Sequence, residues 1–365
     1  MKILHLLATG YTGGIEVLCK EYACNSKLDN IFLFLWGNGQ IAQEMLDRGD
    51  NVINMNASKL NPVKSFVNIL FLCKKENITS VVVHHSAPMM HVYLILIKLF
   101  KPYIKTYAYA HCDAKDMCPS ERRFLWLREA IIRQSLYRAD MVIAISYYVK
   151  KSLINYYKIN DSKIKVIYNG VDLKKFLAKL QRRSSFELIE LTYIGRLIKN
   201  KGVQIILQGL SLLPDDSPFH FNIVGDGPYR LELEQLTKKY KLCKKVKFWG
   251  TQREVSKILL KSDVFVHVPI WEEGFGITVV EAMAAGLVTV CSRSGALQEL
   301  IENGENGFLV NKNSPNEVAN IFQKIFDNIN SPCIWNIRVK TQEKATQFSI
   351  QRFTEELDST LNEKS

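Results

Sequence analysis

The sequence shows no evident membrane-spanning segment, export signal or paired cysteine motif. Its longest apolar run, Val92–Ile97, ends at Lys98 and falls far short of the roughly 20 residues that span a bilayer. The apolar start of the chain, Met1–Ala8, is too short for the core of a signal peptide. The eight cysteines include no C-x-x-C pair, which argues against a zinc site and a disulfide scaffold. We therefore expect a cytoplasmic protein in a reducing compartment.

Acidic residues are scarce in the first half of the chain. Residues 1–185 hold 27 Lys and Arg against 14 Asp and Glu, whereas the remainder holds 21 against 22, so the first half carries all of the net charge of +12. This asymmetry favours an anionic partner for that half: a membrane surface, a phosphate-bearing lipid or a nucleic acid. No nucleic-acid-binding motif is present, so we expect no nucleic-acid partner. A generally basic proteome is the alternative explanation.

Short apolar segments alternate with longer helical stretches along the whole chain. Apolar strands separated by helices are typical of parallel, doubly wound sheets, and 365 residues suffice for two such domains. We predict an α/β protein with a Rossmann-like domain over residues 1–180, a second over 181–347, and a C-terminal helix over 348–365. The spacing of this helix allows it to pack on either domain, and packing back on the first is one of the two arrangements. The predicted strands are Lys2–Ala8, Ile31–Leu35, Val52–Met55, Ser80–His84, Lys105–Ala110, Met141–Ile145, Lys165–Tyr168, Leu188–Ile194, Phe219–Val224, Val246–Trp249, Val264–Val268 and Thr289–Ser292.

Two carboxylates follow the predicted strand Val264–Val268. Glu273 lies in a loop with two glycines, and Glu281 lies about two turns into the helix that the loop opens. This loop and helix N-terminus lie at the carboxyl end of a parallel sheet, where α/β folds bind ligands and anions. Both carboxylates can accept hydrogen bonds from the vicinal diols of sugars. A first-turn acid followed by a solvated helix glutamate is the simpler alternative.

The segment WEEGFGITVVEAMAAG resembles the two-glutamate signature of glycosyltransferase family 4, retaining enzymes of the GT-B fold. The resemblance implies that Glu273 contacts hydroxyls of the transferred sugar and that Glu281 binds the ribose of the nucleotide. It also implies that the backbone of Gly274, Phe275 and Gly276 lines the sugar and the diphosphate.

A second motif begins at Gly195, after the strand predicted to open the second domain. Arg196 and Lys201 are fixed cations of the kind that stabilise the charge developing on a nucleoside-diphosphate leaving group. The stretch GRLIKNKG resembles the G-R-x-x-x-x-K-G of the same family. The resemblance implies that both cations bind the diphosphate, although a basic turn would leave the same pattern.

Glycine-rich loops follow two further strands. Gly225 and Gly227 follow Phe219–Val224, where tight turns requiring positive φ are the simpler explanation and a diphosphate contact is the functional one. Gly13 and Gly14 follow the first strand and open a helix, which lets backbone amides approach a phosphate or a sugar. No G-x-G-x-x-G follows that strand, which argues against a dinucleotide oxidoreductase. The resemblance includes a Gly-Gly pair there and implies a donor contact.

Histidines end two strands of the first half. His111 follows Lys105–Ala110, and a neutral imidazole there would hydrogen-bond the donor sugar or orient the acceptor, as in the resembling family; a core or surface histidine is the alternative. His84, His85 and His91 are expected to be ordinary loop or helix residues, although His84 also ends a strand and would then line the acceptor side.

Residues 120–139 alternate arginines with large apolar side chains. The arrangement is typical of a basic amphipathic helix at an anionic interface, and Arg122, Arg123 and Arg128 are the predicted membrane or acceptor contacts. An ordinary helix packed on the sheet with a solvated basic face is the alternative.

Together the motifs predict a GT-B glycosyltransferase with two sheets facing across a cleft. We expect a hexose-type sugar to move with retention from a UDP-sugar, or less readily a GDP-sugar, to a glycan or lipid-linked acceptor in surface polysaccharide synthesis at the inner face of the membrane. The co-substrate is a nucleotide sugar, and no metal or other cofactor is expected, since the chain has no Asp-x-Asp motif. A GT-B sugar-nucleotide epimerase and a basic nucleic-acid-binding protein remain alternatives.

Overall fold

In the computed structural model, the described residues are 1–58, 60–84, 87–117, 125–177, 180 and 188–363. They form two compact units, Met1–Gly170 with Ile350–Ser365, and Val171–Ser349. We call these unit 1 and unit 2. The domain boundary predicted after residue 180 lies a little further along the chain than this division.

Unit 1 contains a parallel seven-stranded sheet in the order β3-β2-β1-β4-β5-β6-β7. Its strands are almost wholly buried, as expected where helices cover both faces of a sheet. The strands are β1 (Lys2–Leu7), β2 (Asp29–Phe34), β3 (Val52–Asn54), β4 (Ser80–His84), β5 (Lys105–Ala110), β6 (Met141–Ala144) and β7 (Ile164–Val166). The helices between them are α1 (Gly14–Asn25), α2 (Gln40–Arg48), α3 (Pro62–Lys75), α4 (Pro88–Phe100), α5 (Leu125–Arg138) and α6 (Tyr147–Tyr157).

Unit 2 contains a parallel six-stranded sheet in the order β10-β9-β8-β11-β12-β13. Its strands are β8 (Ile189–Ile194), β9 (Phe219–Val224), β10 (Val246–Gly250), β11 (Val264–His267), β12 (Val288–Ser292) and β13 (Phe308–Val310). Its helices are α7 (Val203–Leu210), α8 (Arg230–Lys239), α9 (Val255–Leu259), α10 (Ile277–Ala284), α11 (Leu297–Leu300), α12 (Pro315–Asn328) and α13 (Pro332–Ala345).

Each sheet reverses its strand order at one point. In unit 1 the reversal lies between β1 and β4, and in unit 2 between β8 and β11. At such a point the loops that leave the two neighbouring strands diverge to opposite faces and open a crevice beyond the carboxyl ends. The glycine loop after β1 and the loops after β8 and β11 therefore lie at the two crevices.

The last helix, α14 (Ile350–Asn362), belongs to unit 1. The residues that its spacing marks as apolar, Ile350, Phe353, Leu357 and Leu361, are all buried. Its Asp358 accepts hydrogen bonds from the hydroxyls of Tyr22 at 2.6 Å and Ser26 at 2.7 Å. The chain thus leaves unit 1, forms unit 2 and returns.

The predicted α/β class and doubly wound parallel sheets are confirmed. The sequence missed β13, because its three residues, Phe308–Val310, are fewer than a recognisable strand pattern needs.

Candidate active site

The loops that follow β8 and β11 carry the residues of the two strongest motifs. These strands are parallel neighbours, with Leu191 paired to Val264 and Thr192 to Phe265. Because the carboxyl ends of parallel neighbours meet at one edge of the sheet, the two loops converge there, although 72 residues separate Lys201 from Glu273.

Lys201 and Glu273 form an ion pair at this edge. The Nζ atom of Lys201 lies 2.7 Å from Oε2 of Glu273, and both side chains are less than one-fifth exposed. The same oxygen lies 3.3 Å from Nε2 of the buried His267. Nζ also lies 5.2 Å from the centre of the Trp271 ring, which adds a cation–π contact. Two donors therefore converge on one oxygen of Glu273.

The Glu273 carboxyl group is held in its ionised form. Burial by itself would raise its pKa, but the hydrogen bond from His267 and the charge of Lys201 together lower it to about 2. Among the described residues, none donates a hydrogen bond to the other oxygen, Oε1. Glu273 is thus an oriented carboxylate with one oxygen available to a ligand hydroxyl.

A close backbone contact with the loop after β12 holds Glu273 in place. Gly295 has φ of +48°, and a Cβ atom there would lie 2.2 Å from the carbonyl oxygen of Glu273. The amide of Glu273 donates to Oγ of Ser294 at 3.1 Å, and the amide of Ala296 donates to the Glu273 carbonyl at 2.9 Å. A side chain at position 295 would therefore displace the carboxylate.

Gly276 and Glu281 belong to the start of α10. Gly276 precedes the helix with φ of +105°, a conformation that favours glycine. The Glu281 carboxylate is partly buried, and no side chain of the described residues donates a hydrogen bond to it. Burial raises its pKa to about 7, against the opposing charge of Lys175. The Glu281 carboxylate can therefore accept hydrogen bonds from the hydroxyls of a ligand.

Gly274 and Phe275 precede Gly276 in the same loop. Gly274 is partly exposed, whereas the Phe275 ring is buried and meets Phe348 edge to face at 5.6 Å. The ring of Phe275 thus anchors the loop in the core, and a ligand contact by the backbone of this loop stays a prediction.

Arg196 is exposed in the loop after β8, and no carboxylate of the described residues pairs with it. The loop is joined to the loop after β9 by a hydrogen bond from the amide of Leu197 to the Asp226 carbonyl at 2.9 Å. Gly225 has φ of +127°, and a Cβ atom there would lie 2.0 Å from the Gly195 carbonyl oxygen. Gly225 and Gly227 are thus explained by close backbone approach, and a ligand contact by either stays a prediction.

The predicted donor glycines Gly13 and Gly14 lie in unit 1. Gly13 is extended and precedes α1, and Gly14 is exposed at the first position of that helix. A Cβ atom on Gly13 would lie 2.4 Å from the Glu16 carboxylate, which therefore covers this turn. The pair lies at the strand-order reversal of unit 1, where α/β sheets bind ligands.

His111 lies directly after β5 and is half-buried. Its Nε2 atom lies 3.0 Å from Nδ1 of His84, the last residue of β4. His84 is therefore not an ordinary loop residue: it is fully buried and lies 3.1 Å from His5 of β1 as well. The sequence contains no pattern that pairs these histidines, because His5 and His84 lie on two different strands and His111 follows a third.

The predicted basic helix corresponds in part to α5. Arg122 and Arg123 lie outside the described residues, and Arg128 is half-buried. Beside it, Trp126 is 70% exposed and Leu127 is 44% exposed. The described part of this surface thus combines basic with large apolar side chains. No helix within the described ranges has both the length and the apolar character needed to cross a bilayer.

Two family models match the chain, one in each half. The model described as Glycosyltransferase Family 4 matches residues 36–175, and the model described as Glycosyl transferases group 1 matches residues 181–347. The chain belongs to glycosyltransferase family 4.

Curated relatives of this glycosyltransferase fall into two groups by coverage. An uncharacterized glycosyltransferase of Methanocaldococcus jannaschii is 30% identical over 58% of this chain and 55% of its own length. The chain thus spans about half the length of the first such relatives. An uncharacterized protein in the cps region of Klebsiella pneumoniae is 24% identical over 97% of this chain and 96% of its own length.

Solved structures show the same fold as this glycosyltransferase. HepE of Anabaena, crystallised with UDP, superposes with a TM-score of 0.85 at 22% identity and covers 99% of both chains. The same protein was also crystallised with UDP-glucose. The predicted GT-B fold is confirmed.

Sequence reasoning missed several residues around the carboxylates of this glycosyltransferase. His267 and Trp271 flank the Lys201–Glu273 pair, and Gly295 supports it. A histidine at a strand end and a Ser-Gly pair after β12 were available signals. Neither has a characteristic spacing in the sequence. Only the arrangement of neighbouring strands shows that these residues lie beside the carboxylates.

Proposed function

We propose that this protein transfers a hexose-type sugar from a nucleoside-diphosphate sugar, UDP in preference to GDP, to a glycan or lipid-linked saccharide with retention of configuration. The observation that carries the proposal is the Lys201–Glu273 pair. It combines a cation with an oriented carboxylate at the edge where β8 and β11 end. The complexes of HepE with UDP and UDP-glucose support the donor class.

Two cations in the loop after β8 suit a diphosphate leaving group. Arg196 is exposed and has no carboxylate partner among the described residues, and Lys201 lies in the same loop. Within the described part of the chain, the N-terminus of α10 has no side-chain cap, and it contributes the positive end of the helix dipole. These groups would stabilise the charge that develops on the diphosphate, so the proposed reaction uses no divalent metal.

The carboxylates suit the hydroxyls of the donor. Oε1 of Glu273 would accept from the transferred sugar, and Glu281 would accept from the ribose. With its pKa lowered to about 2, Glu273 is a poor base, so it binds and orients. The leaving diphosphate then takes the proton of the attacking hydroxyl on the same face of the sugar, which preserves the configuration.

The acceptor side of the proposal rests on unit 1. Its basic charge and the exposed Trp126 and Leu127 beside Arg128 support a peripheral position at an anionic membrane, where lipid-linked acceptors reside. The location of the Klebsiella relative in a cps region supports a role in surface polysaccharide synthesis.

A thermal-shift screen against UDP- and GDP-sugars tests the donor class. A ligand at 100 times its Kd raises the unfolding free energy by about 2.7 kcal/mol, which is readily measured. We expect UDP-sugars to stabilise the protein more than GDP-sugars, and the anomeric proton coupling of the product to match that of the donor. No stabilisation by any sugar nucleotide would overturn the proposal. Formation of an epimer from donor alone would replace it with an epimerase.

A further inference from the structure

A series of hydrogen-bonded polar side chains crosses the sheet of unit 1; His5 and His84 are buried, and Asn30 and His111 at its two ends are half-buried. Nε2 of His5 lies 3.1 Å from Oδ1 of Asn30, Nδ1 of His5 lies 3.1 Å from Nε2 of His84, and Nδ1 of His84 lies 3.0 Å from Nε2 of His111. The four residues come from β2, β1, β4 and the end of β5, which are adjacent in the sheet.

The strand register explains the chain. His5 pairs with Phe32 of β2 and Val82 of β4, so Asn30 lies two residues before one partner and His84 two residues after the other. His84 pairs with Tyr109, and His111 again lies two residues further on. Steps of two keep the side chains on one face, and diagonal neighbours there lie within reach of aromatic side chains. The chain thus ends at the carboxyl edge of the sheet.

All three imidazoles are neutral near pH 7. Burial lowers the pKa of His5 to about 4 and outweighs both the hydrogen bond to Asn30 and the charge of Asp358, which raise it. Burial also lowers the pKa values of His84 and His111. The Cys19 thiol also lies 3.6 Å from Nε2 and 3.8 Å from Nδ1 of His84, and a thiol is only a weak donor and acceptor beside the two imidazole partners of that ring. Each ring therefore has one N–H donor and one bare nitrogen.

Asn30 sets the direction of every hydrogen bond in the chain. Its Nδ2 donates to Oγ of Ser26 at 2.8 Å and to the carbonyl of Leu28 at 3.3 Å. A carbonyl only accepts, so the amide nitrogen faces Leu28 and Oδ1 faces His5. Nε2 of His5 must then carry the proton, which leaves its Nδ1 to accept from His84.

The same reasoning extends to His111, the last residue of the hydrogen-bonded series. His84 donates from Nε2 to His5, so its bare Nδ1 accepts from Nε2 of His111. The bare nitrogen of His111 is then Nδ1, which has no partner among the described residues. We propose that the chain from Asn30 through His5 and His84 fixes the proton of His111 on Nε2, so that Nδ1 accepts a hydrogen bond from a sugar hydroxyl during transfer.

This proposal rests on the proposed glycosyl transfer and assigns its residues distinct parts. His111 contacts the substrate, whereas Asn30, His5 and His84 are positioning residues that act through it. The hydroxyl belongs either to the donor sugar or to the acceptor, since the chemistry is the same. With a lowered pKa, His111 orients this hydroxyl and is a poor general base.

Nitrogen NMR of the full chain, labelled with ¹⁵N-histidine at pH 7.5, tests the tautomer without any substrate. The signals of His111 are identified by their loss in His111→Phe. We expect a pyrrole-like Nε2 and a pyridine-like Nδ1. A proton on Nδ1, or a doubly protonated ring, would overturn the proposal.

Asn30→Leu tests whether the direction is transmitted. It removes the acceptor three links from His111 at a partly exposed position, and we expect a mixture of tautomers at His111. His91→Phe is the matched control. His91 is as buried as His84 in unit 1, but it hydrogen-bonds Ser135, which does not belong to the hydrogen-bonded series from Asn30 to His111. An unchanged His111 spectrum in folded Asn30→Leu would contradict the proposal.

Kinetics complete the test. We expect His84→Phe to lower kcat/KM for transfer roughly tenfold, the value of one oriented hydrogen bond, and His91→Phe to remain unchanged. Equal loss in donor hydrolysis assigns the hydroxyl to the donor, and loss in transfer alone assigns it to the acceptor. Wild-type kinetics in folded His84→Phe would overturn the proposal. If wild-type protein neither binds nor turns over a sugar nucleotide, the proposed function fails while the NMR result still decides the tautomer.

Discussion

The ammonium group of Lys201 lies 2.7 Å from Oε2 of Glu273, and this contact joins the two motifs that the sequence keeps apart. The resemblance assigns the lysine to the diphosphate and the glutamate to the sugar. Because each neutralises the other in a largely buried site, each is already oriented before a ligand arrives. Such preorganisation reduces the reorganisation needed in the transition state.

Lys201→Met should destabilise the fold as well as the reaction. Removing the cation leaves the buried Glu273 carboxylate with His267 as its only donor among the described residues, so we expect a loss of about 2 kcal/mol in unfolding free energy at pH 7. Denaturant unfolding measures this loss. Lys199→Met, an exposed lysine of the same loop, is the control and should change little. Adding Glu273→Gln should recover part of the loss, and strict additivity of the two changes would contradict the coupling.

Donor affinity should increase with pH through the titration of Glu281. Its pKa is raised to about 7, so the group is mostly protonated at pH 6 and mostly ionised at pH 8. The ionised form is the stronger acceptor for ribose hydroxyls, so UDP-glucose should bind several-fold more tightly at pH 8. Titration calorimetry at both values checks this, because the diphosphate of UDP-glucose stays fully ionised throughout. Glu281→Gln should remove the pH dependence. A wild-type Kd that is the same at both pH values would refute the assignment of Glu281 to the ribose.

Arg196→Ala should reduce catalysis more than it reduces stability. The guanidinium has no carboxylate partner among the described residues, so its removal breaks no ion pair there. We expect kcat/KM to fall about a hundredfold, as for other charge-stabilising donors, with Tm unchanged in the absence of ligand. Lys199→Ala is again the control at a neighbouring exposed position. Equal activity of the two variants would remove Arg196 from the donor site.

Transfer should continue in the presence of EDTA. In the proposed reaction, Arg196, Lys201 and the start of α10 would supply the positive charge that a divalent cation provides in metal-dependent enzymes. Initial rates before and after chelation should therefore agree. A loss of activity that Mg²⁺ or Mn²⁺ restores would show that a metal takes part.

The basic segment at and before α5 should direct the protein to anionic vesicles. Replacing Arg122, Arg123 and Arg128 by Gln should reduce co-sedimentation with phosphatidylserine vesicles, since each basic residue near such a surface contributes about 1 kcal/mol. The binding should also weaken as salt is added.

A matched triple change in unit 2 controls for net charge. Replacing the exposed Lys238, Lys239 and Lys244 by Gln alters the total charge equally and should leave vesicle binding unchanged. Equal effects of the two triple variants would attribute binding to overall charge and contradict a specific surface.

Much of the fold could be predicted because its signals are local. The sequence correctly predicted apolar strands such as Val264–Val268 and the helical spacing of Ile350, Phe353, Leu357 and Leu361. The short β13 escaped because three residues carry too little pattern. The two carboxylates were found through a motif that lies within sixteen consecutive residues, whereas His267 and Gly295 have no such motif.

By itself, the sequence determined the strand segments other than β13, and which loops carry glycines, carboxylates and cations. These properties depend on the period of apolar residues and on backbone conformations that few residues adopt. Only the tertiary structure decided that Lys201 pairs with Glu273 and that Asn30 is linked to His111 through His5 and His84. The physical reason is strand order: β8 neighbours β11, and β1 neighbours β4, so residues far apart in the chain become neighbours across a sheet.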